Sequence, residues 1–186
     1  HICKGYDNNG CPFNHIGNQK FKKYCTECFR RAFPLDPLTF QIRSKTKEIA
    51  VRDFLNEVYE GFQHDKPLYT DHCDCTIKRR IDHRIQIGNT ILAIETDENQ
   101  HKSYDKMDEE TRYNDLMCGF TGKWIYIRFN PDKYKDKKGK SKNPMISTRL
   151  QELKKTIDIQ LERIKNEENT ELIERIYLYY DEELKK

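Results

Sequence analysis

No stretch of this 186-residue chain approaches the ~18 consecutive apolar residues of a membrane-spanning helix. No apolar centre near the start marks a signal peptide, so a soluble protein with no membrane partner is the expectation. Strong charge of either sign is also missing. Basic residues number 34 and acidic ones 31, leaving +3, so only local clusters can attract polyanions, and net charge makes no case for nucleic-acid binding. Nor is there a disulfide framework. The seven cysteines are an odd number, and four of them (Cys3, Cys11, Cys25, Cys28) crowd the first 28 residues, which fits metal ligation in a reducing, intracellular compartment. No internal repeat is visible.

Hydrophobic and charged residues each make up 35% of the chain. Scattered apolar residues at that level would suggest disorder, but here they come in periodic bursts. Aromatics at 11% also argue for a packed core. The length suits one compact domain with a small satellite.

The stretch 1–34 reads as loop, with Gly5, Gly10, Pro12 and Gly17 and few apolar side chains. A metal could order it. Cys25 and Cys28 form a CxxC, which lets two thiolates chelate one tetrahedral ion, and Cys3 and Cys11 can complete a zinc shell. Free buried cysteines are the alternative, and His15 could replace one thiol. The remainder, 35–186, has the pattern of an α/β domain with a mixed sheet. Over 45–61, Ile49, Ala50, Phe54, Leu55, Val58 and Tyr59 mark one helix face ended by Gly61. A polar connection with Cys73 and Cys75 follows. Residues 77–87 alternate as a strand, Gly88-Asn89 is a two-residue turn, and 90–96 is a second, more apolar strand, so the pair forms a β-hairpin. The pattern then predicts a helix over 107–120 and a strand over 124–129. A lysine-rich loop, a long helix from Ile146 to Ile164 and a closing strand over 173–180 complete it. The long helix has spacing that would also suit a coiled-coil seam, although packing on the core fits its length better.

The densest reactive group spans the hairpin: Asp82 on its first strand, then Glu95, Asp97, Glu98, Gln100 and His101 at the end of its second. Alternation along a strand points Glu95 and Asp97 to one face. The turn pairs residues whose numbers sum to about 177, which sets Asp82 opposite Glu95. Three carboxylates this close raise one another's pKa unless a cation lies between them. Oxygen ligands of this kind favour Mg²⁺ or Mn²⁺, ions that serve phosphoryl chemistry. A solvated acidic strand end is the competing reading.

Arg79-Arg80-Ile81-Asp82, the hairpin, and Ala93-Ile94-Glu95-Thr96-Asp97-Glu98-Asn99-Gln100-His101 resemble the PD-(D/E)xK, or restriction-endonuclease-like, nuclease superfamily. The nearest likeness is to the branch that includes very-short-patch repair endonucleases and small proteins of large DNA viruses. It covers roughly 45–130, and the cysteine-rich start resembles the viral branch in particular. The resemblance implies a mixed β-sheet flanked by helices, behind a small zinc module. It also implies metal binding by Asp82 and Glu95, and, for a viral protein, a place in host cytoplasm or nucleus. The residue two after the glutamate is typically lysine, which orients or deprotonates the attacking water; here it is Asp97. Branches without that lysine rely on a nearby polar residue, which points to Gln100 or His101. Glu48 matches a glutamate placed near the metal in related small nucleases, or is simply an exposed helix charge. Arg112 and Arg128 also match family positions, where either would bind phosphate or pair with an acid.

Two functional expectations follow. The first is a Mg²⁺- or Mn²⁺-dependent DNA endonuclease, in which Asp97 completes or tunes the metal shell. Arg79, Arg80, Arg112, Arg128 and the cluster Lys133, Lys135, Lys137, Lys138, Lys140, Lys142 would contact DNA. A second basic cluster, Lys20, Lys22, Lys23, Arg30 and Arg31, lies near the start, and solvated loops would account equally for both clusters. The other expectation is a nuclease-fold DNA-binding or adaptor protein without catalysis. Oligomeric state stays open, with a homodimer one option.

Overall fold

Short turns, one seven-residue helix and the start of a longer one organise the first 53 residues of the computed structural model, which describes residues 2–7, 9–12, 15–42, 46–68, 79–102 and 105–185. The chain divides into two compact units, His1–Asp53 and Phe54–Lys186. In the first, helix α1 (Thr26–Ala32) starts at Cys25, whose sulfur accepts from the Cys28 N–H at 3.4 Å. The stretch expected to lack a core has a small aromatic one. Phe29, fully buried, lies with its ring centroid 5.2, 6.4 and 5.0 Å from those of Phe21, Tyr24 and Phe33. The unit runs past Pro34 through a 3-10 turn, Thr39–Gln41, to Asp53. Helix α2 (Thr46–Val58) begins in this unit and ends in the next, burying Ala50, Val51 and Leu55.

The second unit is built on a five-stranded mixed sheet. Its strands are β1 (Gln63–Pro67), β2 (Arg80–Ile87), β3 (Thr90–Thr96), β4 (Lys123–Phe129) and, after a short hairpin of β5 (Tyr134–Lys135) and β6 (Ser141–Lys142), β7 (Ile173–Leu178). The sheet order is β1-β2-β3-β4-β7, antiparallel across the first three strands and parallel across the last three. Gly88 takes φ +56°, the left-handed backbone that opens a two-residue turn, and the β2–β3 hairpin follows. Ile77, Cys73 and Cys75 lie outside the described residues. β1 falls in the connection expected to be irregular.

β3 is buried along its whole length, so both sheet faces are covered. Helix α3 (Lys106–Gly119) closes one, packing Tyr113 and Leu116 on Ile91, Ala93, Trp124 and Tyr126. Helix α4 (Ile146–Lys165) lies on the other. Its Arg163 grips Glu174 at 2.7 and 3.0 Å, and Glu174 shares a face with its register partner Ile125. The buried Leu150, Leu153, Ile157 and Ile164 of α4 show that its apolar stripe packs on the core and does not form an exposed seam. No helix among the described residues is long and apolar enough to cross a membrane.

Arg149 of α4 is fully buried and anchors the lysine-rich segment. Its guanidinium donates to Pro144 O at 3.0 Å, to Asn130 O and Asp132 O at 2.9 Å each, and to Asn143 Oδ1 at 2.9 Å. Replacing it leaves buried acceptors unpaired, each costing ~1–3 kcal/mol. Arg149→Met should therefore lower unfolding free energy by ~3 kcal/mol or more in urea titrations and open 130–145 to trypsin. Wild-type stability and cleavage pattern in the variant would contradict this anchoring.

Candidate active site and metal centre

The carboxyl end of β3 carries most of the expected acidic residues, Glu95, Asp97 and Glu98. The hairpin pairs His83 with Ile94 and Arg84 with Ala93, each pair summing to 177 as the turn requires. The paired register ends at His83 and Ile94, one step short of the expected Asp82–Glu95 pair, and Asp82 Oδ2 accepts the Thr96 N–H at 2.8 Å. Glu95 follows four apolar residues of β3, is 5% exposed and has Arg128 as its neighbour on β4.

Asp97, fully buried, is held by its own strand end and by β4. Its N–H bonds Phe129 O at 2.8 Å. Its Oδ1 receives Arg128 Nη2 at 2.9 Å and lies 3.0 Å from His101 Nε2, while Oδ2 receives Arg128 Nε at 2.5 Å and the Tyr180 hydroxyl. Arg128 then spends its other donors on Tyr113 Oη and Glu109 Oε1, both at 2.5 Å, and on His101 Nδ1 at 3.0 Å. All three nitrogens of the guanidinium are thus engaged, through four hydrogen bonds and the ion pair with Glu109. Because an arginine can only donate, His101 Nδ1 is an acceptor and its proton sits on Nε2, facing Asp97.

Charge balance at these carboxylates comes from two arginines. Arg112 Nη2 donates to Glu95 Oε1 at 2.5 Å, and Arg128 pairs with Asp97. Burial still pushes the Glu95 carboxyl up to about 8; Arg112 opposes the shift, and Asp82 and Asp97 add to it. Burial draws His101 down, against the pull of Asp97. In Arg128 burial works against the charge, but Asp97, Tyr113 and Glu109 together overcome it and raise the group's pKa.

The neighbouring candidates take up varied positions. Gln100 is buried and ties loops together, donating to Lys133 O at 3.1 Å and accepting from Asp181 N at 2.7 Å. Asn99, Gln100 and His101 have φ of +51°, +57° and +51°. Such a left-handed run of side-chain-bearing residues costs ~1–2 kcal/mol each and aims His101 back at Asp97. Glu48 lies in the first turn of α2, in the other unit. Arg79 pairs with Asp115 at 2.9 Å, and Arg80, 60% exposed, donates to Asp65 O at 2.9 Å. Lys133, Lys135, Lys137, Lys138, Lys140 and Lys142 are exposed on and around the β5–β6 hairpin. Asp136 Oδ1 shapes its turn by accepting from Lys138 N and Lys140 N, both at 2.9 Å. Glu109, Tyr113 and Tyr180 were not singled out in the sequence. The 109, 112, 113 spacing on one helix face after the acidic strand was the available signal.

In the first unit, Cys3, Cys11, Cys25 and Cys28 place their sulfurs within 4.8 Å of one another, an arrangement that could hold a metal. Among the described residues no other three side chains of ligating type come so close. The three carboxylates therefore do not converge on one point to that degree. A tetrahedral shell with ~2.3 Å metal–sulfur bonds has sulfur–sulfur edges of ~3.8 Å, and Cys28 Sγ lies 3.6 Å from Cys11 Sγ. Backbone N–H groups already point at the sulfurs, Cys25 N at 3.0 Å and Gly5 N at 3.4 Å from Cys3 Sγ, as suits thiolates. Gly5 is required here: φ is +79°, and a Cβ would fall 2.2 Å from the Gly10 carbonyl carbon. His15 is not part of the group.

Since Glu95 titrates at about 8 in the fold and near 4.5 otherwise, the folded chain binds its proton more tightly. The stability this brings is complete below the unfolded pKa and is lost as pH rises through the folded one. In metal-free protein, urea midpoints of wild type and Glu95→Gln should be close at about pH 5, with the variant more stable at about pH 9. A gap that does not widen with pH would contradict the buried-acid assignment. No family model, curated protein or solved structure matches the chain.

Proposed function

We propose that the chain is a Mg²⁺- or Mn²⁺-dependent DNA endonuclease of restriction-endonuclease-like fold, with Asp82 and Glu95 as its metal ligands. The observation that carries this reading is the burial of Glu95 beside Asp82 at the carboxyl end of a central strand. Burying a carboxyl there is expensive, and side chains perturbed by burial plus a specific charged partner mark functional sites. The open ends of parallel strands are also where α/β sheets bind ligands.

The donor set fits a divalent ion in part. Glu95 Oε2 accepts no hydrogen bond among the described residues, while Oε1 is on Arg112, so one oxygen can ligate without breaking a contact. Asp97 does not offer that, since Arg128, His101 and Tyr180 occupy both of its oxygens. It tunes the site by raising the proton affinity of Glu95. When bound, a divalent ion would polarise the phosphodiester and lower the pKa of an attacking water. His101 presents a proton to Asp97 and its lone pair to Arg128, so it would have to turn before accepting a proton. The lysines of the β5–β6 hairpin, with Arg80, would neutralise DNA phosphates, whereas Arg79 is held by Asp115. The four thiols would hold a structural zinc.

A non-catalytic DNA-binding reading is favoured by one observation, the neutralisation of Glu95 and Asp97 by arginines without a metal. Cleavage separates the two. Plasmid and single-stranded DNA with Mg²⁺ or Mn²⁺ should be cut by wild type, and Asp82→Ala and Glu95→Ala should each lose roughly 10³-fold in rate. Equal rates in all three proteins would leave the DNA-binding reading standing. For the thiol centre, purified protein should carry ~1 Zn per chain. Cys28→Ser should lose it together with the ordered amide resonances of 2–42, whereas a metal-free wild type with those resonances intact would rule zinc out.

A further inference from the structure

We infer that Arg112 is the side chain that meets the scissile phosphate, supplying the positive charge that position 97 does not. The inference rests on the endonuclease reading. Sequence alone left Arg112 and Arg128 equivalent, and the structure separates them. Arg128 is 3% exposed, and each of its donors is already bonded to Asp97, His101, Tyr113 or Glu109. Reaching a phosphate would mean dismantling a buried network. Arg112 uses only Nη2, which donates to Glu95 Oε1 and Arg80 O, both at 2.5 Å. Its Nε and Nη1 make no hydrogen bond among the described residues, and the side chain is 28% exposed. Both donors of Nη2 are thus spent on the proposed metal-ligating carboxylate and on Arg80 O, which fixes the guanidinium beside that carboxylate, while Nε–H and Nη1–H each remain able to donate to a phosphate oxygen.

The surrounding charges keep Arg112 available. The acids that act on Arg112 are Glu95, which it bonds, and Asp82; Glu109, one turn earlier on α3 and within helix reach, is engaged by Arg128 Nη1, 2.5 Å from its Oε1. Asp97 in turn fixes Arg128 from its other side. The aspartate at the position where lysine is usual therefore contributes indirectly, by holding the arginine that engages Glu109. Two other cations are committed, Lys102 Nζ to Asp181 at 2.7 Å and Arg79 to Asp115 at 2.9 Å, while the Arg80 guanidinium lies out at the surface by Asp65. Charge developing on the phosphate oxygens during hydrolysis would strengthen the Arg112 contact in the transition state, so the effect falls mainly on kcat.

The test compares wild type, Arg112→Ala, Arg112→Lys and Asp82→Asn on a labelled oligonucleotide with Mg²⁺, with circular dichroism to confirm folding. Arg112→Ala should lose ~10²- to 10³-fold in kcat with a smaller change in KM. Added guanidinium ion should restore part of that loss but none of the Asp82→Asn loss. Arg112→Lys keeps the charge but not the planar set of donors that can hold Glu95, Arg80 O and a phosphate oxygen together, and should stay at least ~10-fold below wild type; it decides the matter if the alanine variant is unfolded. A folded Arg112→Ala with wild-type kcat, a loss confined to KM, or full activity in Arg112→Lys would overturn the assignment. Wild type that cuts no better than Asp82→Asn would instead sink the endonuclease reading, and the role of Arg112 with it.

Discussion

The ion pair between Asp97 and Arg128 is the constraint on which this site depends. Both groups are almost completely buried, and one guanidinium gathers β3, β4, α3 and the turn at His101 around itself. Taking two charges out of water costs several kcal/mol per ion, repaid only when geometry is good and every remaining donor is satisfied. Here it is: Arg128 bonds to both oxygens of Asp97, and Tyr180 brings the chain beyond β7 onto the same carboxylate. Removing either partner alone would strand a buried charge, at ~3–5 kcal/mol. The ends of β3 and β4 are thereby held rigidly, as a site built from strand ends requires.

This network explains how the acidic cluster is tolerated. Proximity of Asp82, Glu95 and Asp97 calls for a cation, and the structure answers with guanidinium groups, Arg128 for Asp97 and Arg112 for Glu95. The two arginines divide the work. Arg128 is consumed internally, whereas Arg112 shares Glu95 yet keeps an open edge. The acids thus fall into two kinds: Asp97 belongs to the scaffold, and Asp82 and Glu95 remain the candidates for a metal.

Much of the fold was legible in the sequence because its elements bury one face with a regular period. The hairpin followed from Gly88-Asn89, α3 and α4 from their three- and four-residue spacing, and β4 and β7 from short apolar runs. β1 was not legible: it is an edge strand of polar residues, Gln63–Pro67, with no apolar alternation, and its hydrogen bonds to β2 define it. The β5–β6 hairpin is held by Asp136 and Arg149, contacts that composition does not announce. Within the site, the hairpin register as far as His83–Ile94, and with it the nearness of Asp82 to the end of β3, could be counted from the turn. What the count could not supply was the partner of each acid, since Arg112, Arg128 and Tyr180 lie 15 or more residues away in the chain and arrive through tertiary packing. The thiol cluster was readable because spacing in a CxxC motif is itself geometric, and the structure brings all four sulfurs together.

The site thus divides into a scaffold carboxylate, Asp97, and two proposed metal ligands, Asp82 and Glu95, and anomalous scattering from crystals grown with Mn²⁺ tests that division most directly. The division predicts a manganese peak bridging Asp82 and Glu95, with the Asp97–Arg128 pair unbroken beside it. A peak coordinated by Asp97, with Arg128 displaced, or no peak near Asp82 and Glu95 at saturating Mn²⁺, would contradict it.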